Sequence, residues 1–91
     1  MTSFSKYVLI KNRLGLHARA AMKLVELSQS FDATVNLTKG QKSATADSVM
    51  GLLMLESSKG EQICVSADGP QAREAFEAIT QLIEAGFDEE N

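Results

Sequence analysis

Lys6-Tyr7-Val8-Leu9-Ile10-Lys11, followed at once by Asn12-Arg13-Leu14-Gly15-Leu16-His17-Ala18-Arg19-Ala20-Ala21, is the stretch that decides the fold. Its first half is apolar and β-branched and ends in a polar turn, the pattern of a strand. Past the glycine the apolar spacing changes. From residue 17 to 30, Ala21, Leu24, Val25 and Ser28 fall on one helical face, widened by Leu27 and Phe31. A strand that hands over to an amphipathic helix within a few residues predicts an α/β arrangement.

The remainder extends that beginning. Ala33, Val35 and Leu37 alternate with Thr34, Asn36 and Thr38, a second strand. Lys39-Gly40-Gln41 turns the chain back through Ser43-Ala44-Thr45-Ala46, which predicts a hairpin. Asp47-Ser48 offers a cap for a short helix from Val49 to Leu55, although Gly51 weakens it. A further strand runs from Gln62 to Ala67, with Ile63, Val65 and Ala67 on one side. Asp68-Gly69-Pro70 then opens a last helix, with proline expected at the first helical position. Ala72, Ala75, Phe76, Ile79, Leu82 and Ile83 trace its apolar stripe to a stop at Gly86. The order is βαββαβα. One amphipathic sheet covered on one face by helices, an open-faced α/β sandwich, is the simplest way to bury these faces in a single domain over residues 1–91.

Composition narrows the function. One cysteine, Cys64, excludes an internal disulfide, and with one histidine it cannot form a conventional zinc site, so no metal is expected. Cys64 lies in the alternating run Ile63-Cys64-Val65-Ser66-Ala67 and suits a reduced strand position in the cytoplasm. Met1-Thr2-Ser3-Phe4 leads into the first strand without a long apolar segment, so neither a secretory leader nor a membrane span is expected. A pI near 5.0 argues against nucleic acid as a partner. No Gly-rich Lys-Ser/Thr loop and no glycine-flanked serine elbow are present, so neither nucleotide binding nor serine hydrolysis is predicted.

Charge is uneven along the chain. Lys6, Lys11, Arg13, Arg19 and Lys23 all precede Glu26, the first acidic residue, on a chain of net charge −3. A basic segment of this kind makes a local positive field on an acidic molecule. Within it stands the only histidine, His17, at a helix start where Ser, Thr, Asp or Asn usually satisfies the open N–H groups. A neutral imidazole is a competent nucleophile near pH 7. Free helix amides and Arg19 favour an anion such as a phosphoryl group. Gly15 permits the turn that presents the ring. On these residues alone, a phosphoryl-accepting imidazole and an ordinary surface histidine fit equally well.

Three runs carry a resemblance that separates the two. Gly15-Leu16-His17-Ala18-Arg19, Lys42-Ser43-Ala44-Thr45-Ala46-Asp47-Ser48 and Leu52-Leu53-Met54-Leu55-Glu56-Ser57-Ser58-Lys59-Gly60 resemble the HPr family of phosphotransferase-system phosphocarriers, over essentially the whole chain. The resemblance implies a four-stranded antiparallel sheet with three helices on one face, and no cofactor. It implies a stoichiometric carrier, not a turnover catalyst, which takes a phosphoryl group from an enzyme I-type donor and passes it to an enzyme IIA-type acceptor. His17 would be phosphorylated at Nδ1, with Arg19 as phosphate partner. Leu52 to Leu55, Asp68-Gly69-Pro70-Gln71 and the tail Gly86-Phe87-Asp88-Glu89-Glu90 look most like the nitrogen-related branch. The alternatives are a sugar-branch carrier and a regulatory module that binds without phosphotransfer. The family commonly has proline after the arginine; Ala20 here keeps the helix, restores one amide and loosens the turn.

A relay also needs a docking patch. The short helix is apolar all along, and Leu52 and Leu55 are expected inward, with Val49, Met50 and Leu53 partly exposed. The resemblance sets this helix beside His17, so Ala18, Met22, Val49, Met50 and Leu53 would meet partners, with Arg19 and Lys23 facing acidic groups. Ser48 aligns with a serine that some family members phosphorylate for regulation, but capping alone accounts for it. The chain is expected to act as a monomer.

Overall fold

The computed structural model describes residues 3–89. Met1, Thr2 and Glu90, which enter the expectations about a leader and the tail motif, lie outside the described residues. The elements run β1 (Ser3–Leu9), α1 (Ala18–Ser28), β2 (Thr34–Lys39), β3 (Lys42–Thr45), α2 (Val49–Met54), β4 (Gln62–Asp68) and α3 (Ala72–Glu84), then a 3₁₀ turn at Gly86–Asp88. The four strands form one antiparallel sheet in the order β1-β4-β2-β3. β4, last in sequence, lies between β1 and β2, so α1 links β1 to β2 and α2 links β3 to β4, pairs of strands that are not neighbours.

Period-two alternation sets the register. Val8 of β1 lies opposite Ile63 of β4, while Val65 of β4, Leu37 of β2 and Ala44 of β3 face one another two positions along, so these apolar side chains share one face of the sheet. All five are buried, and Ala21 and Leu24 of α1, Leu52 of α2 and Ala75, Ile79 and Ile83 of α3 close over them. The other face carries Tyr7, Cys64, Ser66, Asn36 and Thr38, and Tyr7 is largely exposed. Leu52 and Leu55 point inward as expected, and Gly51 has a packing reason. A Cβ there would lie 3.1 Å from both the Ala44 Cβ and the Ser48 Oγ, so glycine lets α2 sit close on β3.

Several boundaries differ from expectation by one to three residues, and two of the starts have a clear tertiary cause. β1 begins at Ser3, not Lys6, because Ser3, Phe4 and Ser5 pair with Asp68, Ala67 and Ser66 of β4. Pro70 is not the first residue of α3. The Gln71 N–H donates to Asp32 O at 2.9 Å while the Gln71 side chain accepts from the Asp32 N–H at 2.7 Å. That double tie to the loop before β2 holds Gln71 as the cap, leaves Pro70 in the preceding turn and delays the helix to Ala72.

Candidate functional site

His17 is the N-cap of α1, with extended backbone (φ −86°, ψ 179°). The turn before it determines that conformation. Gly15 has φ +66°, and a Cβ at that position would meet the Ser57 carbonyl oxygen at 2.4 Å, so only glycine fits. The Leu16 N–H donates to Ser57 O at 2.9 Å, which fastens the turn to the segment after α2, and the Gly15 N–H donates to Asn12 O at 3.1 Å within the loop that leaves β1. The His17 carbonyl accepts from the Ala21 N–H at 2.9 Å, the first bond of the helix.

The side chain does not cap the helix it begins. No acidic residue lies in the first turn, and among the described residues no side chain takes the first-turn amide hydrogens. Among the described residues, the positive end of α1 is therefore left to an anion. Ala18 and Arg19 are exposed in that first turn.

One contact at this site was invisible along the sequence. His17 Nε2 bonds to Glu89 Oε2, with the histidine side chain 24% and the glutamate side chain 19% exposed. The other carboxylate oxygen, Oε1, accepts from Asn12 Nδ2 at 3.1 Å, and the same Nδ2 donates to Gly15 O at 2.7 Å. Asn12 is wholly buried. Its own Oδ1 and the hydroxyl of Ser57, on either side of the Gly15 turn, have no partner among the described residues. Burial works against ionisation of Glu89, but the hydrogen bonds from His17 and Asn12, and the charge of Lys23, outweigh it and hold the carboxyl below its usual range.

The tail that brings Glu89 here is anchored. Phe87 is fully buried although its φ of +58° is an unusual backbone for an aromatic residue, and Asp88 follows at +61°. Lys23 Nζ donates to the Phe87 carbonyl at 2.6 Å. Lys23, expected to face partners, thus has a role inside the molecule. No sequence signal joined residues 12, 17 and 89; only the length of α3 and the plug at Phe87 bring them together.

The remaining site residues fall on α1 and α2, which pack against each other. Met22 and Met50 are exposed, and Val49 and Leu53 half-buried. Met54, 67% exposed, joins them without having been singled out. Ser48 is the N-cap of α2, its Oγ accepting the Gly51 N–H at 3.1 Å. Among the described residues no group of side chains is arranged to hold a metal ion, and no helix is long and apolar enough to cross a membrane.

The family model described as the PTS HPr component phosphorylation site matches residues 4–85. A phosphocarrier protein NPr of Escherichia coli K12 is 55% identical over 82 residues, covering 89% of this chain and 91% of that protein. The NPr of Shewanella violacea is 48% identical over 98% of both chains. A crystal structure of HPr from Thermoanaerobacter tengcongensis superposes with a TM-score of 0.91 at 36% identity, covering 97% of this chain and 99% of that one.

Proposed function

This chain belongs to the HPr family of phosphotransferase-system phosphocarriers, and we propose that it serves the nitrogen-related branch as a cytoplasmic, monomeric relay that carries the phosphoryl group on His17. The observation that carries this reading is the start of α1, where an imidazole takes the place of a capping side chain and no described side chain takes the helix amides. The NPr names of relatives at 48% and 55% identity support the nitrogen-related branch over the sugar branch.

The chemistry follows from that placement. An enzyme I-type donor presents its phosphoryl group to the ring. The Nδ1 lone pair forms a bond to phosphorus as the bond from phosphorus to the donor's leaving atom breaks, and the leaving atom keeps the electron pair. The transferred group brings its negative charge next to the N-terminus of α1, where the amides stabilise it and Arg19 adds charge-assisted hydrogen bonds. The same bond breaks in the second transfer, to an enzyme IIA-type acceptor, and free phosphate is not released. The apolar surface of Ala18, Met22, Val49, Met50 and Leu53, extended by Met54, docks both partners in turn. Exposed methionines suit that task because a flexible thioether side chain adapts to more than one surface. Ser48 acts here as a helix cap. Phosphate on it would end the bond to Gly51 and add charge to the docking patch.

The test is phosphotransfer from phosphoenolpyruvate with enzyme I of each branch. One acid-labile, base-stable phosphate should appear on His17, faster with the nitrogen-branch donor. Arg19→Ala should slow the transfer about tenfold, the loss of one charge-assisted hydrogen bond. A label on serine, or an equal rate from both donors, contradicts the reading.

A further inference from the structure

We propose that Glu89 is a positioning residue for phosphotransfer, holding the His17 ring so that Nδ1 is the nitrogen offered to the phosphoryl group. The inference rests on the carrier reading above and deepens it. An ionised carboxylate has no hydrogen to donate, so in the pair between His17 Nε2 and Glu89 Oε2 the proton sits on Nε2. In the neutral, nucleophilic ring the lone pair is then on Nδ1, at the other side of the ring. Asn12 makes the arrangement specific, because one buried amide group ties both the carboxylate and the Gly15 carbonyl of the presenting turn. Ring, turn and carboxylate are thereby one hydrogen-bonded unit.

The pair also serves the phosphorylated state. When Nδ1 bonds to phosphorus the ring loses no proton; Nε2 keeps its hydrogen and the ring becomes cationic. Glu89 is the counter-charge for that cation. It stands on the Nε2 side, away from the arriving phosphoryl oxygens, so it orients the ring and does not occupy the anion site. Return of the phosphoryl group to an acceptor restores the neutral ring with the proton still on Nε2. The full burial of Phe87 and the bond from Lys23 to its carbonyl make the tail a built support and not a loose end.

Because His17 is the only histidine, every imidazole signal of the ¹⁵N-labelled full chain belongs to it. In the unphosphorylated wild type at neutral pH, ¹H–¹⁵N spectra should show a protonated Nε2 and a bare Nδ1, with the ring N–H protected from exchange with water. Glu89→Ala should lose that protected signal and slow transfer from enzyme I roughly tenfold or more. Glu89→Gln, which keeps an acceptor oxygen without the charge, should fall between the two, and both variants should keep the backbone amide spectrum of the fold. A Glu89→Ala protein that retains the protected ring N–H, or transfers as fast as the wild type, overturns the inference. A wild type that takes no phosphate on His17 sinks the carrier reading along with it; a labelled wild type beside an equally fast Glu89→Ala sinks this inference alone.

Discussion

At the start of α2 the Ser48 hydroxyl turns back onto the helix and accepts the Gly51 N–H, whereas at the start of α1 the side chain of His17 turns away, toward the C-terminal tail. α2 is six residues long, buries fully only Leu52 within its length, and needs its own cap. α1 is eleven residues long and buries Ala20, Ala21, Leu24 and Ser28, so packing stabilises it without one. A missing cap costs about 1 kcal/mol. The comparison teaches that this molecule leaves its amides open where the longer, better-packed helix can bear that cost, and there it holds a nucleophile.

The largest expected effect lies at position 17. His17→Ser and His17→Ala should both abolish phosphorylation, read by transfer of labelled phosphate. Both lose the partner of Glu89, so they differ only in capping. The serine variant should unfold about 1 kcal/mol later than the alanine variant in urea. Equal stabilities would mean that the start of α1 is not an open cap.

Position 48 should respond in the opposite sense. Ser48→Ala should lower stability by about 1 kcal/mol and Tm by roughly 4–8 °C, with transfer at the wild-type rate. A wild-type Tm would break the contrast between the two helix starts.

The smallest effect is a pH dependence. Glu89 is held below its unfolded value, so its contribution to stability is complete above about pH 4.3 and is lost as the pH falls through the lower folded value. The urea midpoint should therefore drop more steeply with acid in the wild type than in Glu89→Gln. Parallel pH curves would remove Glu89 from the folded-state balance.

Where side chains repeat with a clear period, the elements were legible before any coordinates. Val35 and Leu37 mark a strand face and Ala72, Ala75, Ile79 and Ile83 a helix face because each local pattern agrees with the packing it meets. Expectations failed where a distant partner overrode local preference. Ser3-Phe4-Ser5 extends because β4 lies beside it, and Pro70 waits outside α3 because Gln71 is held by Asp32. At the site, His17, Gly15 and Arg19 stood out by residue type and spacing. Asn12 did not, since a buried asparagine looks like any turn residue until its two acceptors are known.

By itself, the sequence determined the βαββαβα order, the apolar faces, the uncapped histidine and the glycine before it. These are local matters, decided by period, propensity and the absence of a Cβ at one crowded point. Tertiary structure alone decided which ring nitrogen is held and by what. That depends on a buried Phe87 that bends the tail back across α1, bringing together residues that stand 72 positions apart in the chain.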